Sequence, residues 1–338
     1  MPVLSNFVRT ASSALPEIRK PLRKPSLNER LIWTAIALVA YLIMAQIPLY
    51  GVDSSAQDEL AFLRVIFAST GGTLMELGIG PIVTAGLIMQ LLKGSEIIKI
   101  DLTKPEDRAL FTSATKLLTL VVTLVEVIAF ILGGRFGPDL PPFIATIILV
   151  QLFTAGMMVM LLDELVQKGW GIGSGISLFI LAGVTQQILW SIFSPLSTGD
   201  GAIGAIPYLV ESILAGSPAD AFLREGQLPS LFGLTLTIVV ILIIVYIEGI
   251  RIEIPITSTR YRGFSGTYPI KLLYTSNIPV ILVSALMANL TFFAQFLWSS
   301  YNRRNDSSIM NLIATFDARS PGNPTGGIIY WLTPPLGL

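Results

Sequence analysis

Long apolar runs constrain this chain more than any other feature of its sequence. A helix needs about 20 apolar residues to cross the roughly 30 Å hydrocarbon core of a bilayer. Runs of that length lie near residues 31–50, 109–133, 143–162, 174–194, 231–250 and 272–298, and a shorter one covers about 75–92. Charged residues make up 13% of the chain, whereas soluble domains carry about 25%. The sequence therefore predicts an all-α, polytopic membrane protein with seven membrane helices.

Lysines and arginines are unevenly distributed between the predicted loops. With the N-terminus in the cytoplasm, sixteen of the 22 lysines and arginines, including all eight lysines, fall in cytoplasmic segments. Cytoplasmic loops carry such an excess in most membrane proteins, so we predict a cytoplasmic N-terminus. Residues 1–30 then form a cytoplasmic amphipathic arm. Seven crossings place 299–338 outside, and we interpret the sequence as the first part of a longer membrane protein.

The residue types available argue against an enzyme. The chain has no cysteine and no histidine, which excludes disulfides and thiolate metal sites and removes the commonest metal ligand and general base. The predicted spans carry no paired carboxylates that could act as acid and base. We therefore expect no catalysis, no metal site and no cofactor.

Two glycine motifs open apolar segments. They are 78–86, with the sequence GIGPIVTAG, and 171–180, with the sequence GIGSGISLFI. Ile79 and Val83 share one helix face, as do Ile176 and Ile180, because neighbours on a helix recur four residues apart. Clustered glycines let backbones come close or let a segment break. The pattern favours a narrow waist lined by aliphatic side chains, with ordinary helix packing as the alternative.

The segment between the first two spans is unusual. Residues 57–70 make an amphipathic patch of about four turns, too short to span, and Gly71 and Gly72 follow it. Irregular backbone at membrane depth survives only if it is buried in protein or lines a cavity. A re-entrant stopper beneath a pore fits this pattern, and so does an interfacial helix that lies flat on the external side.

Polar residues inside the spans mark the next candidates. Glu126 lies mid-span, where an ionisable side chain costs at least about 2.5 kcal/mol and normally faces a cavity or a partner. Thr84 and Asn277 are candidate partners, and Pro279 follows Asn277 and can open the backbone locally. Other intramembrane amides, Asn289 among them, are typical of interhelical hydrogen bonds.

The predicted cytoplasmic loop 251–271 alternates cationic and aromatic residues around two glycines. Arg260 and Arg262 lie at its tip, and arginine suits bidentate phosphate contacts. The loop could dock on a nucleic-acid surface, or its positive charge could simply anchor it to anionic lipid headgroups.

Several runs of this chain resemble the SecY family, the α subunits of the Sec protein-conducting channel, in its archaeal and eukaryotic branch. The resemblance covers the whole chain, and it rests on the following segments: LPEI at 15–18, TLMELGIGPIVTAGLIMQLL at 73–92, DRALF at 107–111, the motif at 171–180, RYRG at 260–263, YPIK at 268–271 and YTSNIPV at 274–280. Family members have ten spans in two inverted halves. The resemblance thus implies a SecY-type bundle truncated after about seven helices. Its parts would be the arm 1–30, a first half 31–196, an external segment 197–229, the start of a second half 230–298 and an external loop 299–338.

The resemblance also assigns roles to residues. It implies a pore ring of Ile79, Val83, Ile176, Ile180 and Ile281. It implies a plug near 57–70 that includes Leu60, Phe62, Leu63, Val65 and Ile66. It implies a lateral gate at Thr84, Glu126 and Asn277, and ribosome contacts at Arg260 and Arg262.

The expected function is to conduct unfolded secretory polypeptides across the membrane and to release transmembrane segments sideways into lipid. The resemblance implies the following partners: the SecE (γ) and β subunits, the ribosome with its RNA, signal peptides, nascent chains and the bilayer. It places the chain in an archaeal cell membrane, or alternatively in the endoplasmic reticulum membrane. A secondary transporter with a broken-helix substrate site is the alternative function, although such a protein normally needs more than one intramembrane charge.

Overall fold

The structure consists of apolar helices and, among the described residues, three short β-hairpins in the loops. It is seen in a computed structural model that describes residue 10 and residues 15–52, 67–98, 100–133, 135–136, 140–198, 201–217, 221–222, 224, 228–257, 265–272, 277–302, 305–317 and 320–332. The helices, in chain order, are α1 Leu27–Met44, α2 Gly80–Gly94, α3 Pro105–Leu132, α4 Pro142–Leu165, α5 Gly175–Phe193, α6 Ala205–Leu214, α7 Leu231–Gly249, α8 Asn277–Tyr301, α9 Ser308–Ile313 and α10 Ile328–Leu332.

The long helices coincide with the apolar runs, which confirms the predicted fold class. Among the described residues, five helices are long and apolar enough to cross a membrane: α1, α3, α4 with its π-helical extension to Trp170, α5 and α7. The two remaining runs, near 75–92 and 272–298, form α2 and α8.

Helix starts follow local sequence signals. Ser26 caps α1, because its hydroxyl accepts a hydrogen bond from the Glu29 amide while the Glu29 side chain accepts one from the Ser26 amide. Helices α2, α3 and α4 each carry a proline in the first turn. Proline suits this position, since its missing N–H would have no partner there.

The loops contain strands that the all-α prediction missed. Strands β1 (Ser197–Thr198) and β2 (Gly201–Ala202) form a small hairpin, as do β5 (Thr315–Asp317) and β6 (Ser320–Gly326). Strands β3 (Arg251–Thr257) and β4 (Ser265–Lys271) pair antiparallel within the loop predicted at 251–271. The sequence RIEIPIT of β3 alternates polar and apolar residues, and that period of two is the signal that could have identified it.

The chain divides into two compact units. The first comprises residues 1–184 and 280–338, and the second comprises 185–279. The first unit contains a cluster of buried side chains, here called the waist cluster, formed by Tyr41, Met44, Ala45, Ala68, Met75, Ile79, Val83, Val159 and Phe179. A second cluster joins Leu49, Leu77, Val127, Ile148 and Leu152. In the second unit, α7 has no buried residue, as expected for a helix whose whole surface faces lipid or other chains.

Ion pairs tie the N-terminal arm to the end of α4. The Lys168 ammonium lies 2.5 Å from a Glu17 carboxylate oxygen and 2.7 Å from one of Glu164. Glu164 also pairs with Lys116 of α3, and the Trp170 indole donates to the Arg19 carbonyl at 2.8 Å. The hydrogen bond from Lys168 lowers the pKa of the exposed Glu17 carboxyl. This part of the arm is irregular chain in the structure.

Candidate functional site

The first glycine motif places two of the predicted ring residues at the start of α2. Ile79 is the residue before the helix, and its carbonyl accepts the first helical hydrogen bonds from Ile82 and Val83, both at 3.1 Å. The side chains of Ile79 and Val83 are both buried. This geometry follows from Pro81, which starts the helix just after the glycines.

The second glycine motif starts α5 and is fixed by an acidic side chain. Asp163, near the end of α4, accepts a hydrogen bond from the Ile176 amide at 3.2 Å and from the Gln167 side chain at 2.8 Å. Gly175 makes this approach possible, because a Cβ there would lie 2.5 Å from an Asp163 carboxylate oxygen. Asp163 therefore sets the position of the α5 backbone that carries Ile176 and Ile180. Asp163 was not among the predicted site residues, and its signal in the sequence is an acidic residue at the end of an apolar run.

The structure brings four of the five predicted ring residues together. Ile79 and Val83 belong to the waist cluster, and Ile176 and Ile180 pack against it as half-buried side chains. Ile281 is part of helix α8, but the structure does not describe its side chain. The cluster also includes Phe179, which stands between the two isoleucines of α5. Aliphatic side chains from two separate helices thus meet where the glycine motifs predict a waist.

The predicted plug residues Leu60, Phe62, Leu63, Val65 and Ile66 lie outside the described residues. The segment that leads from them to α2 is described and is held by several hydrogen bonds. The Ile79 amide donates to the Phe67 carbonyl at 2.8 Å, and the Tyr41 hydroxyl donates to the Ala68 carbonyl at 2.5 Å. Further along, Glu76 is buried, accepts from the Gly72 amide at 2.5 Å and pairs with Arg135 at 3.3 Å.

The predicted gate residues have different surroundings. The Thr84 hydroxyl on α2 donates to the Gly80 carbonyl at 2.9 Å and accepts from the Asn289 amide on α8 at 2.6 Å. Asn289 is therefore a partner of Thr84 that the sequence analysis treated only as a general interhelical contact. The side chain of Asn277 is outside the described residues.

Glu126 is buried in the middle of α3, and one of its carboxylate oxygens has no hydrogen-bond partner among the described residues. Its other oxygen faces the start of α2, since a Cβ on Gly80 would lie 3.8 Å from it. A carboxylate is favoured close to the N-terminus of a helix, where unpaired amides give partial positive charge. The Glu126 side chain therefore connects α3 to the start of α2, where the predicted ring residues Ile79 and Val83 lie.

Arg260 and Arg262 lie outside the described residues. The strands that flank them, β3 and β4, are described and end at Thr257 and begin again at Ser265. In the sequence, the two arginines fall between these two strands.

The chain is similar to known protein-conducting channels. The SecY family profile matches residues 73–332, and the profile of the plug domain of Sec61p matches residues 39–72. A solved protein-conducting channel is 38% identical, with a TM-score of 0.76, over 97% of this chain and 69% of its own. Sec61 in the canine ribosome–channel complex from the endoplasmic reticulum is 38% identical, with a TM-score of 0.75, over 97% of this chain and 70% of its own.

A third structure is that of a SecY protein whose plug domain stabilises the closed state of the translocation channel and maintains a membrane seal. It is 38% identical to this chain, with a TM-score of 0.72, over 97% of this chain and 69% of its own. The SecY profile alone covers more than half of the sequence. The resemblance that the sequence motifs carry is thereby confirmed, and the chain belongs to the SecY family.

Proposed function

We propose that this chain is the pore-forming subunit of a protein-conducting channel. It conducts unfolded secretory polypeptides across the membrane and releases transmembrane segments sideways into lipid. The observation that carries the proposal is that Ile79, Val83, Ile176 and Ile180 meet at one cluster, which also contains Ala68 from the plug-domain match. Aliphatic side chains form a seal that excludes water by dewetting and still yields to an unfolded chain of any sequence.

A transporter of small solutes is not favoured. Such proteins bind their substrate at polar broken helices near the midplane, whereas the waist cluster consists of apolar side chains apart from the Tyr41 hydroxyl. That hydroxyl is already engaged with the Ala68 carbonyl.

Crosslinking to a translocating chain tests the channel. A photoreactive amino acid at Val83 is expected to crosslink to a stalled secretory nascent chain. The same amino acid at Val121, an exposed position on α3, serves as the control for contact through lipid. Uptake of small labelled solutes, without any crosslink at Val83, would contradict the proposal and support a transporter.

The lateral gate is the proposed exit for apolar segments. Thr84, Glu126 and Asn277 form its polar part, and the Thr84–Asn289 hydrogen bond between α2 and α8 supports this role. A signal sequence that parts these helices must replace the lost contacts with its own burial in lipid. The stability of the closed gate therefore decides how hydrophobic a signal has to be.

Arg260 and Arg262 are the proposed ribosome contacts. Their place in the sequence between strands β3 and β4 supports this role, because guanidinium groups can make bidentate pairs with RNA phosphates. The canine relative was solved in a ribosome–channel complex, which supports the same partner for this chain. We further assign the SecE (γ) and β subunits as partners, a cytoplasmic N-terminus and an archaeal cell membrane, with the endoplasmic reticulum membrane as the alternative.

Charge reversal at the hairpin tip tests the ribosome contact. Replacing Arg260 and Arg262 with glutamate is expected to weaken ribosome binding strongly and to flatten its salt dependence, because fewer counterions are released. The matched control replaces Arg251 and Lys271, which pair across the base of the same hairpin and carry the same total charge. Equal losses in both double variants would point to general attraction rather than to contact at the tip.

A further inference from the structure

Two consecutive carbonyls mark the point where the chain leaves the predicted plug. The Phe67 carbonyl accepts from the Ile79 amide, and the Ala68 carbonyl accepts from the Tyr41 hydroxyl. Ile79 is a predicted ring residue, and Tyr41 lies on α1. The end of the predicted plug, at Phe67 and Ala68, is therefore bound to the waist cluster on one side and to α1 on the other.

The Tyr41 side chain is rigidly placed. It is 1% exposed, and its ring stacks on that of Phe179 with centroids 5.0 Å apart and an interplanar angle of 18°. Phe179 is itself fully buried on α5, between Ile176 and Ile180. A buried phenol stacked in this way cannot easily turn, so its hydroxyl stays directed at the Ala68 carbonyl.

Ala68 has a backbone that needs support. Its φ is +49°, in the left-handed region that residues with a Cβ rarely adopt. Such a conformation persists only where the surroundings impose it. The hydrogen bonds at Phe67 and Ala68, together with the burial of Ala68 in the waist cluster, provide those surroundings.

We propose that the Tyr41 hydroxyl is a latch that holds Phe67 and Ala68, at the described end of the predicted plug, against the waist cluster in the closed channel. The inference rests on the proposed function, because it assigns a regulatory contact to the same pore. If Ala68 leaves the waist cluster, the hydroxyl loses its acceptor, whereas the ring of Tyr41 keeps its stacking partner Phe179 on α5. The hydrogen bond therefore stabilises the closed state selectively, and Tyr41 is a positioning residue for the plug.

The substitution Tyr41→Phe isolates the latch, because it removes the hydroxyl and retains the stacked ring. Tyr50→Phe is the matched control, since Tyr50 is exposed and its hydroxyl makes no hydrogen bond among the described contacts. The chain lacks cysteine, so one introduced thiol reports on one site. Met75→Cys places that thiol in the waist cluster beside the latch, and Leu152→Cys places it in the second cluster.

The measurement is the rate at which a membrane-impermeant maleimide alkylates each thiol in the complex reconstituted in lipid nanodiscs. Loss of one buried hydrogen bond is expected to accelerate alkylation at Met75→Cys about fivefold in the Tyr41→Phe background. Alkylation at Leu152→Cys is expected to stay slow, and Tyr50→Phe is expected to leave both rates unchanged. Unchanged alkylation at Met75→Cys would overturn the latch.

Equal acceleration at both thiols would also overturn it, because it would show that Tyr41→Phe loosens the whole unit. The outcome is separable from the proposed function, which is read from nascent-chain crosslinking at Val83. A chain that crosslinks to nascent polypeptide but shows no selective alkylation retains its channel function and has no latch at Tyr41. A chain with selective alkylation and no crosslink has the latch but not the proposed function.

Discussion

The two glycine motifs place similar aliphatic residues at similar helix starts, but different groups fill the space beside them. A Cβ on Gly78 would lie 2.1 Å from the Phe67 carbonyl oxygen. A Cβ on Gly175 would lie 2.5 Å from an Asp163 carboxylate oxygen and 2.7 Å from its Cα. The first motif thus packs against main chain at the end of the predicted plug, and the second packs against an acidic residue of a neighbouring helix.

Because their neighbours differ, the two motifs connect different parts of the chain. The contact at Gly78 involves Phe67, which belongs to the segment predicted to form the plug. The contact at Gly175 joins α4 to α5, two helices connected by a short turn within the first unit. The first motif therefore packs against the end of the predicted plug, whereas the second packs one helix of the unit against another.

The largest effect is expected for Gly78→Ala. The new methyl group would collide with a carbonyl that no rotamer change can move, and φ at Gly78 is +54°, which is also unfavourable for alanine. The substitution is expected to lower the free energy of unfolding by about 3 kcal/mol, as measured by equilibrium unfolding in mixed micelles.

Gly86→Ala is the matched control for Gly78→Ala, since it lies in the same motif with no atom within 4 Å of the added methyl group. It is expected to be neutral or to stabilise the helix by up to about 1 kcal/mol. A Gly78→Ala variant as stable as Gly86→Ala would show that the Phe67 segment does not pack as the structure indicates.

A smaller effect is expected for Gly175→Ala, because the side chain of Asp163 can yield in part. We expect a loss of about 2 kcal/mol in the free energy of unfolding. Repeating the substitution in an Asp163→Ala background should reduce that loss, since the closest atom is removed, although the α4 backbone still crowds the added methyl group. Strictly additive losses in this double-mutant cycle would contradict the proposed packing of Asp163 on Gly175.

The smallest effect is expected at the hydrogen bond between Thr84 and Asn289, which links the first motif to α8. Such bonds between membrane helices contribute about 0.6 kcal/mol on average. A double-mutant cycle with Thr84→Val and Asn289→Leu tests this bond. The measurement is the minimum hydrophobicity that a signal sequence needs for insertion, and we expect the two substitutions to be coupled in it by about 0.6 kcal/mol. The sign of each single effect depends on the added apolar contact, so the coupling is the quantity that tests the hydrogen bond. A coupling of zero would assign Asn289 a purely structural role.

The membrane helices could be predicted closely from the sequence, and the contacts of the site only in part. The apolar runs near 109–133 and 231–250 correspond to α3 and α7. A membrane helix can be predicted in this way because its length and apolar composition are enough to identify it. The pairing of Ile79 and Val83 with Ile176 and Ile180 was also anticipated from the repeated motif. The strands of the 251–271 loop were missed because their short alternation was read as charge patterning.

Hydrogen-bond partners on different helices could not be predicted from sequence patterns. Thr84 is hydrogen-bonded to Asn289, although Asn277 has an equally polar side chain and a proline nearby. Asp163 is the residue that orients α5, and no spacing rule connects it to Ile176 thirteen positions later. Such pairs depend on which helix faces meet, and several arrangements of apolar helices satisfy the same hydropathy pattern.

The sequence by itself determined that this chain is a membrane protein of the SecY family, and it located the glycine motifs that form the waist. Hydrophobicity and glycine spacing are properties of short stretches of sequence, so membrane helices and glycine motifs can be recognised without knowledge of the tertiary structure. Only the tertiary structure decided that Tyr41 reaches the Ala68 carbonyl and that Gly78 admits the Phe67 backbone. These contacts require two segments to approach within hydrogen-bonding or van der Waals distance, and that approach is set by the packing of the whole unit.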